Sequence, residues 1–575
     1  MLPILGLGLQ SADAAILFWD TNGTTAGSSA GTTATGSWNG VATNWNDDST
    51  GGAGGSLTAA TTAADTVTFA AGTNATGSYT VTVTGTQTAG QADFEEGTIV
   101  TFTGGSLVVG TLNPGAGRTA TVGTTVLSGA GSLTKIGAGI VNLTPISTYS
   151  GDTFLNAGTT TVDADATFGS GAGTLHLNGG TLQYTASRTT APLINPLEMT
   201  ANTTIHTTGG GRVLPFSTNS YTTTGGTLSL TNAGTTLSGI RFTGGLNFTS
   251  PISLGTNTRL DLWNLIASGD QTFSGLISGV GELRRSVSLS TDVGGNSIVT
   301  GANTYTGITA LNGGFLGFGS SSVLSGPTII SGPIGTNTLT IADDPNVGFF
   351  AHGGPQTVAN PITLGSVLDL QIKGTNSLTM SGNINLGTVA RKFSVTNTGG
   401  TTFSGALSGI PTINKAGPGS LSLTGINPFT GAITVSGGAL RLDGGSIVHG
   451  KITIDAGASF DGGTALSGGT FTFNIASDVA DLVAVAGTFE LTNLNLILNP
   501  TGTQTLSEYV VVDKAVGSAE ILGTAFKSTS LPAGWSIDYD GTVANPNAIV
   551  AVIPEPASLS LLGLAAMAAL RRRRA

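Results

Sequence analysis

Apolar side chains return two residues apart in short runs along most of the chain; Leu421 and Leu423, then Ile433 and Val435, then Leu440 and Leu442 form one such stretch. A period of two puts these residues on one face of an extended backbone and the polar residues between them on the other, which is the pattern of half-buried β-strands. Between the runs stand Gly-Gly, Ala-Gly, Ser-Gly and Thr-Gly pairs, which supply positive-φ corners that β-branched residues resist. Three strands with their corners make a coil of about 20 residues, the length of a solenoid repeat. Residues 56–470 keep this texture, and no helix-period stretch of useful length precedes the C-terminal tail, so the class is all-β. Pro196, Pro251 and Pro361 each open a strand, where a missing N–H does least harm.

One stretch of the pattern returns. Residues 127–163, LSGAGSLTKIGAGIVNLTPISTYSGDTFLNAGTTTVD, align without a gap with residues 407–443, LSGIPTINKAGPGSLSLTGINPFTGAITVSGGALRLD, 280 positions later. Lys135 falls on Lys415, Gly137 and Gly139 on Gly417 and Gly419, Tyr149 on Phe429, Gly151 on Gly431, and Asp163 on Asp443. A third copy covers residues 277–318 with six extra residues between Leu283 and Tyr305, and there Arg284 and Arg285 replace the Lys-x-Gly-x-Gly segment. Each coil buries its inner face only against its neighbours, so one copy would not fold by itself. The motif holds Lys135 and Lys415, but a lysine leaving a strand at a glycine corner is more simply a solvated edge charge that discourages pairing with another chain.

The run L-x-K-x-G-x-G-x-L-x-L, followed by N-x-Y/F-x-G and a G-x-L closing strand, resembles the autotransporter-associated β-strand repeat, closely at 127–163 and 407–443 and in part at 277–318. The resemblance implies a long parallel β-helix, or β-solenoid. Such a rod needs atypical ends. An N-terminal cap is expected over residues 16–55, which hold Trp19, Trp38 and Trp45; a sugar-stacking platform is the alternative for these three rings. A C-terminal β cap is expected over residues 471–552, where apolar runs lengthen.

Residues 1–15, MLPILGLGLQSADAA, have the apolar segment and Ala12-Asp13-Ala14 cleavage site of a signal peptide without its basic n-region, which places the expected true start upstream. At the other end, residues 553–575 join Pro554-Glu555-Pro556, an apolar span at 557–570, and Arg571, Arg572, Arg573 and Arg574. This tripartite tail resembles the PEP-CTERM sorting signal. The resemblance implies handling by an exosortase-type membrane protease in a Gram-negative bacterium, with Pro554, Glu555 and Pro556 as the recognition site. The 14-residue span would make a short C-terminal transmembrane helix of about 21 Å, against a hydrocarbon core of roughly 30 Å, and the arginines would stay cytoplasmic. That length suits a transient stop in the inner membrane.

Composition narrows the chemistry. Only 9% of residues are charged, and of the 20 basic residues four are the terminal arginines, leaving sixteen against 31 acidic groups. Nucleic-acid binding by counterion release needs the opposite balance. With no cysteine there are no disulfides, thiolate metal sites or thiol nucleophiles. His176, His206, His352 and His449 stand at unrelated intervals without a metal-binding spacing. The adjacent pairs Asp47-Asp48, Glu95-Glu96 and Asp343-Asp344 would point to opposite faces of a strand; only Asp93 and Glu95 would share one, and no partner pair lies one coil away. No catalytic, cofactor or metal residue is therefore assigned.

The expectation is an exported, surface-associated structural or adhesive β-solenoid of the envelope or extracellular matrix, without enzymatic activity or cofactor. Its partners would be the exosortase-type protease and exopolysaccharide or further copies of itself. The alternative is a β-helix polysaccharide-degrading enzyme or a carbohydrate-binding lectin.

Overall fold

The computed structural model describes residues 14–553 apart from 32, 164–166, 189–191, 219, 265–268, 288–294, 343–345, 430, 443–445, 450, 455–457, 462–468, 477–478, 481, 515–519 and 542–546. Among the described residues the regular structure is β-strand and contains no helix. The chain divides into two compact units, residues 1–288 with 294–308, and residues 289–293 with 309–575. Each is a β-solenoid.

In the first unit, past its opening strands, each strand lies parallel on its equivalent one coil earlier. One ladder runs through Ile99–Thr103, Thr119–Val122, Ile140–Leu143, Thr159–Val162 and Thr181–Tyr184. Its register stacks Phe102, Val122, Leu143, Val162 and Tyr184 in one file, none more than 2% exposed. Thr101, Thr121, Asn142, Thr161 and Gln183 form the adjacent file on the opposite face. The period-two alternation of the sequence thus becomes one dry file and one polar file, and the dry file is what holds neighbouring coils together.

A second ladder joins Leu133–Lys135, Thr153–Leu155, Leu175–Leu177 and Leu197–Met199. A third joins Val213–Phe216, Ser238–Phe242, Thr258–Leu262 and Glu282–Arg285. Coil length varies with the corners: Thr153 pairs with Leu175, 22 residues on, and Ile252 with Ile277, 25 residues on. Pro196 and Pro251 stand just before strands, and their carbonyls accept the N–H groups of Leu175 and Leu228 from the preceding coil at 2.8 and 2.9 Å. Proline therefore keeps the half of the ladder that it can supply.

Near the start of this unit, Ile16–Trp19 pairs in parallel with Thr66–Thr68 and antiparallel with Trp45–Asn46. Trp19, Trp38 and Trp45 close around Phe69 with ring centroids 5.4 to 6.0 Å from it, and none is more than 1% exposed. Rings buried on all sides pack a core and leave no face for a sugar. Asp20, fully buried beside Trp19, accepts the N–H groups of Asn22 and Gly23 at 3.0 and 3.1 Å and the Asn46 amide at 2.8 Å.

The second unit repeats the design. Asp369–Ile372, Arg391–Val395, Ile413–Ala416, Ile433–Val435 and Lys451–Ile454 stack in parallel, with Leu370, Phe393, Lys415, Val435 and Ile454 in one file. A neighbouring ladder joins Leu378–Met380, Thr401–Phe403, Ser420–Leu423 and Ala439–Arg441. Parallel pairing continues past residue 470: Gly469–Ala476 matches Leu494–Thr501 over eight positions, and Thr488–Glu490 pairs with Glu520–Leu522. The ladder turns antiparallel where Glu508–Lys514 meets Ala548–Val552.

Candidate functional site

Leu133 and Lys135 are two apart in one strand, so they share a face, and that face is the inner one. Lys135 stands in register between Leu112 and Leu155. It is 2% exposed and Lys415 is 0% exposed, which corrects the expectation of solvated edge charges. A charge is tolerated in an interior only when its donors are met. Lys135 Nζ donates to the carbonyls of Ile136, Gly137 and Ala157, each at 2.8 Å. Lys415 Nζ donates to Ala416, Gly417 and Gly437 at 3.1, 3.0 and 2.8 Å. Three donors thus meet three acceptors, two from the lysine's own corner and one from the corner of the next coil. The corner depends on Gly137 and Gly417, whose φ values of 75° and 78° a side chain resists. Burial pulls both ammonium groups down from their usual range to about 8.

In the third copy Arg285 occupies the aligned position and does the same work. It is fully buried and donates to the carbonyls of Leu262, at 3.3 Å, Ser286, and Gly295, at 3.1 Å. Outside the repeats, Arg391 is 3% exposed and donates to Leu386, Leu364 and Gly365 carbonyls at 2.7, 3.0 and 2.7 Å and also to Val367. These cations are fixtures of the fold. The remaining motif residues are also structural: Tyr149, Tyr305 and Phe429 are buried, and Asn303 and Asn427 accept the Ile277 and Leu407 N–H groups at 2.7 and 3.0 Å.

Among the described residues the candidate carboxylates are not brought together as a pair. Strand Thr86–Phe94 ends before Glu95, so Asp93 and Glu95 do not share a strand face; Asp93 accepts from Gln91 and from Asn113 of the next coil, both at 2.8 Å. Asp47 accepts the Ser56 N–H at 2.6 Å and Glu96 the Ala75 N–H at 3.0 Å. Asp343 and Asp344 lie outside the described residues. His176 stacks on Phe154 with centroids 4.1 Å apart, in register with Glu198, to which it bonds, and 3.5 Å from Asp152. His206 meets Thr231 at 2.8 Å. Among the described residues no group of three His, Asp or Glu side chains is placed to hold a metal ion.

Pro554, Glu555, Pro556, the apolar span at 557–570 with its expected transmembrane helix, and Arg571, Arg572, Arg573 and Arg574 lie outside the described residues, as does the whole N-terminal apolar segment. No helix among the described residues is long and apolar enough to cross a membrane.

A lysine-capped glycine corner, recurring at a fixed place in stacked coils, is a property of a repeat unit, and the comparison with known proteins identifies the unit. The chain carries passenger-associated-transport repeats. The Passenger-associated-transport-repeat family matches residues 133–162, 295–316 and 413–442, inside the three copies read from the sequence. In the middle copy the match begins at residue 295, past Arg284 and Arg285, where the Lys-x-Gly-x-Gly segment is missing. The PEP-CTERM protein-sorting motif matches residues 552–574. Among characterised proteins, the chain is similar to the Adhesin BmaC autotransporter of Brucella suis biovar 1 (strain 1330), 29% identical over 466 residues. That alignment covers 78% of this chain and 12% of the relative, so the chain spans about an eighth of the length of the protein it matches. No solved structure matches the chain. The sorting motif and the autotransporter relative together indicate an exported protein of the cell surface.

Proposed function

We propose that this chain is a non-enzymatic adhesive or structural rod of the cell envelope or extracellular matrix, delivered through its C-terminal sorting signal. The observation that carries the reading is the conjunction of transport-associated repeats, matched in three copies, with a sorting motif at residues 552–574. The relative's name as an adhesin supports it. So do the half-buried Thr101, Thr121, Asn142 and Gln183 of the polar file, rich in hydroxyls and amides and poor in titratable groups. Contacts made by such groups are weak singly and add through multivalency when a rigid scaffold repeats them.

In this reading the N-terminal segment is a signal peptide that is removed. The apolar span at 557–570 forms a short transmembrane helix that stops in the inner membrane while an exosortase-type protease acts at Pro554, Glu555 and Pro556. The released chain then engages exopolysaccharide or further copies of itself. Deleting the gene should change cell aggregation or biofilm texture, and purified protein should release no new reducing or unsaturated ends from pectin or alginate. Turnover of either polymer by purified protein, abolished by Asp93→Asn, would replace this reading with that of an enzyme.

A further inference from the structure

Strands Ser238–Phe242, Thr258–Leu262 and Glu282–Arg285 carry an unusual concentration of cations for an acidic chain. Their register places Arg241, Asp261 and Arg284 in one outward file and Gly239, Arg259 and Glu282 in the next. Asp261 is 1% exposed and both its oxygens are taken: Arg241 Nε donates at 2.9 Å, Arg284 Nε and Nη2 at 3.1 and 2.5 Å, and Ser286 Oγ at 3.0 Å. Burial alone would raise its carboxyl, but the guanidinium groups of Arg284, Arg241 and, least, Arg259 hold it below the usual carboxylate range. Arg259, on the same strand, donates no hydrogen bond to this carboxylate and acts on it, and on Glu282, only through space. Its Nε is buried without a hydrogen-bond partner, and among the described residues it has no ion-pair contact within 4.0 Å. Gly239 stands beside it in register and contributes no side chain to cover it.

We propose that this face binds the carboxylate of a uronic acid in an acidic polysaccharide, with Arg259 as the principal contact and Arg241 and Arg284 flanking it. Among the described residues the three guanidinium groups are met by Asp261 and Glu282, so the patch keeps an excess positive charge in a chain whose net charge is −11. A planar carboxylate matches the guanidinium fork in two parallel hydrogen bonds, which a compact ammonium could not offer. Beside the charges, the half-buried Trp263 ring lies under Arg241 at 3.6 Å. That contact fixes the guanidinium and leaves an apolar edge for the C–H groups of a sugar. The three strands span roughly 10 Å across the sheet, enough for one or two sugar units. A duplex nucleic acid would need a long basic track and would meet the acidic remainder of this chain. The inference rests on the adhesive reading above for where the ligand is met, and it can fail separately from it.

The test is affinity electrophoresis of the full chain in gels containing alginate, neutral dextran or duplex DNA. Alginate should retard the wild-type chain and dextran should not. Arg259→Gln, which breaks no hydrogen bond among the described residues, should weaken alginate binding about tenfold, the loss of one charge-assisted contact. Its circular dichroism should be unchanged, and Lys392→Gln, at an exposed ion pair elsewhere, should bind as wild type. Equal retardation of wild type and Arg259→Gln, equal retardation by dextran, or tighter binding of DNA than of alginate would overturn the proposal. Cells expressing Arg259→Gln separate the two readings. If they aggregate normally while the purified variant has lost alginate binding, the site stands and its adhesive role falls.

Discussion

At the scale of single residues, the telling feature is a charge placed where an apolar side chain would be expected. Lys415 stands in file between Phe393 and Val435, and its ammonium is held by three carbonyls. Lys415→Met keeps the length of the side chain and strands those carbonyls. An unmet buried acceptor costs about 1–3 kcal/mol, partly offset by relief from burying a charge, so a net loss of about 2 kcal/mol is expected. Solenoid stability is local, so amide exchange in peptides from residues 413–442 should accelerate more than tenfold while distant coils change little. Lys415→Arg should lose less, because Arg285 already serves at this place in the middle copy. The pH dependence has a definite sign. With the folded ammonium near 8 and the unfolded one near 10.5, the unfolded chain binds more protons between those values. This contribution to stability is therefore fully present above about pH 10.5 and is lost as pH falls through 8. Subtracting the exchange profile of a Lys135→Met, Lys415→Met double variant from that of wild type should isolate the slope, and parallel profiles would refute it.

At the scale of the coil, the glycines of the Y/F-x-G segment explain themselves by contact. A Cβ on Gly151 would lie 2.5 Å from Gly131, one on Gly307 2.0 Å from the Gly281 carbonyl, and one on Gly431 1.6 Å from the Pro411 carbonyl. In all three copies the backbone passes directly over the preceding coil, and no side chain fits between. Gly431→Ala should push the coils apart and destabilise the second unit by about 1–3 kcal/mol, read as a lowered urea midpoint. A midpoint equal to wild type would mean the coils have slack.

Much of this was legible beforehand. Alternation at Leu421/Leu423 and Ile433/Val435 gave strands, and the aligned copies gave a stacked repeat. The inward lysine was legible too, since Leu133 and Lys135 share parity, but expecting charge to seek solvent outweighed the period of two. Carbonyl acceptors one coil away leave no mark in a local sequence pattern. The Arg241, Asp261 and Arg284 file was hidden for the same reason: those residues are 20 and 23 positions apart and meet only through strand register. The parallel pairing beyond residue 470 escaped because longer apolar runs resemble a change of architecture as much as a continuation.

At the scale of the whole molecule, charge is segregated. The body holds sixteen basic against 31 acidic groups, while the last residues hold four consecutive arginines after an uncharged apolar span. Basic residues flanking an apolar segment resist translocation and stay on the cytoplasmic side. Under the proposed function the acidic body and the arginine end would lie on opposite sides of the inner membrane, with Pro554, Glu555 and Pro556 presented outside. A 14-residue span would be only about 21 Å long as a helix, so in this reading retention would depend on the arginines more than on hydrophobic anchoring. Replacing Arg571, Arg572, Arg573 and Arg574 by Ser should let unprocessed chain escape the membrane in a host that carries the sorting protease. Fractionation with a C-terminal epitope reads this directly: the epitope should stay with the inner membrane in wild type and leave it, still attached, in the variant. Identical processing and location for the two chains would show that the arginines do not hold the tail.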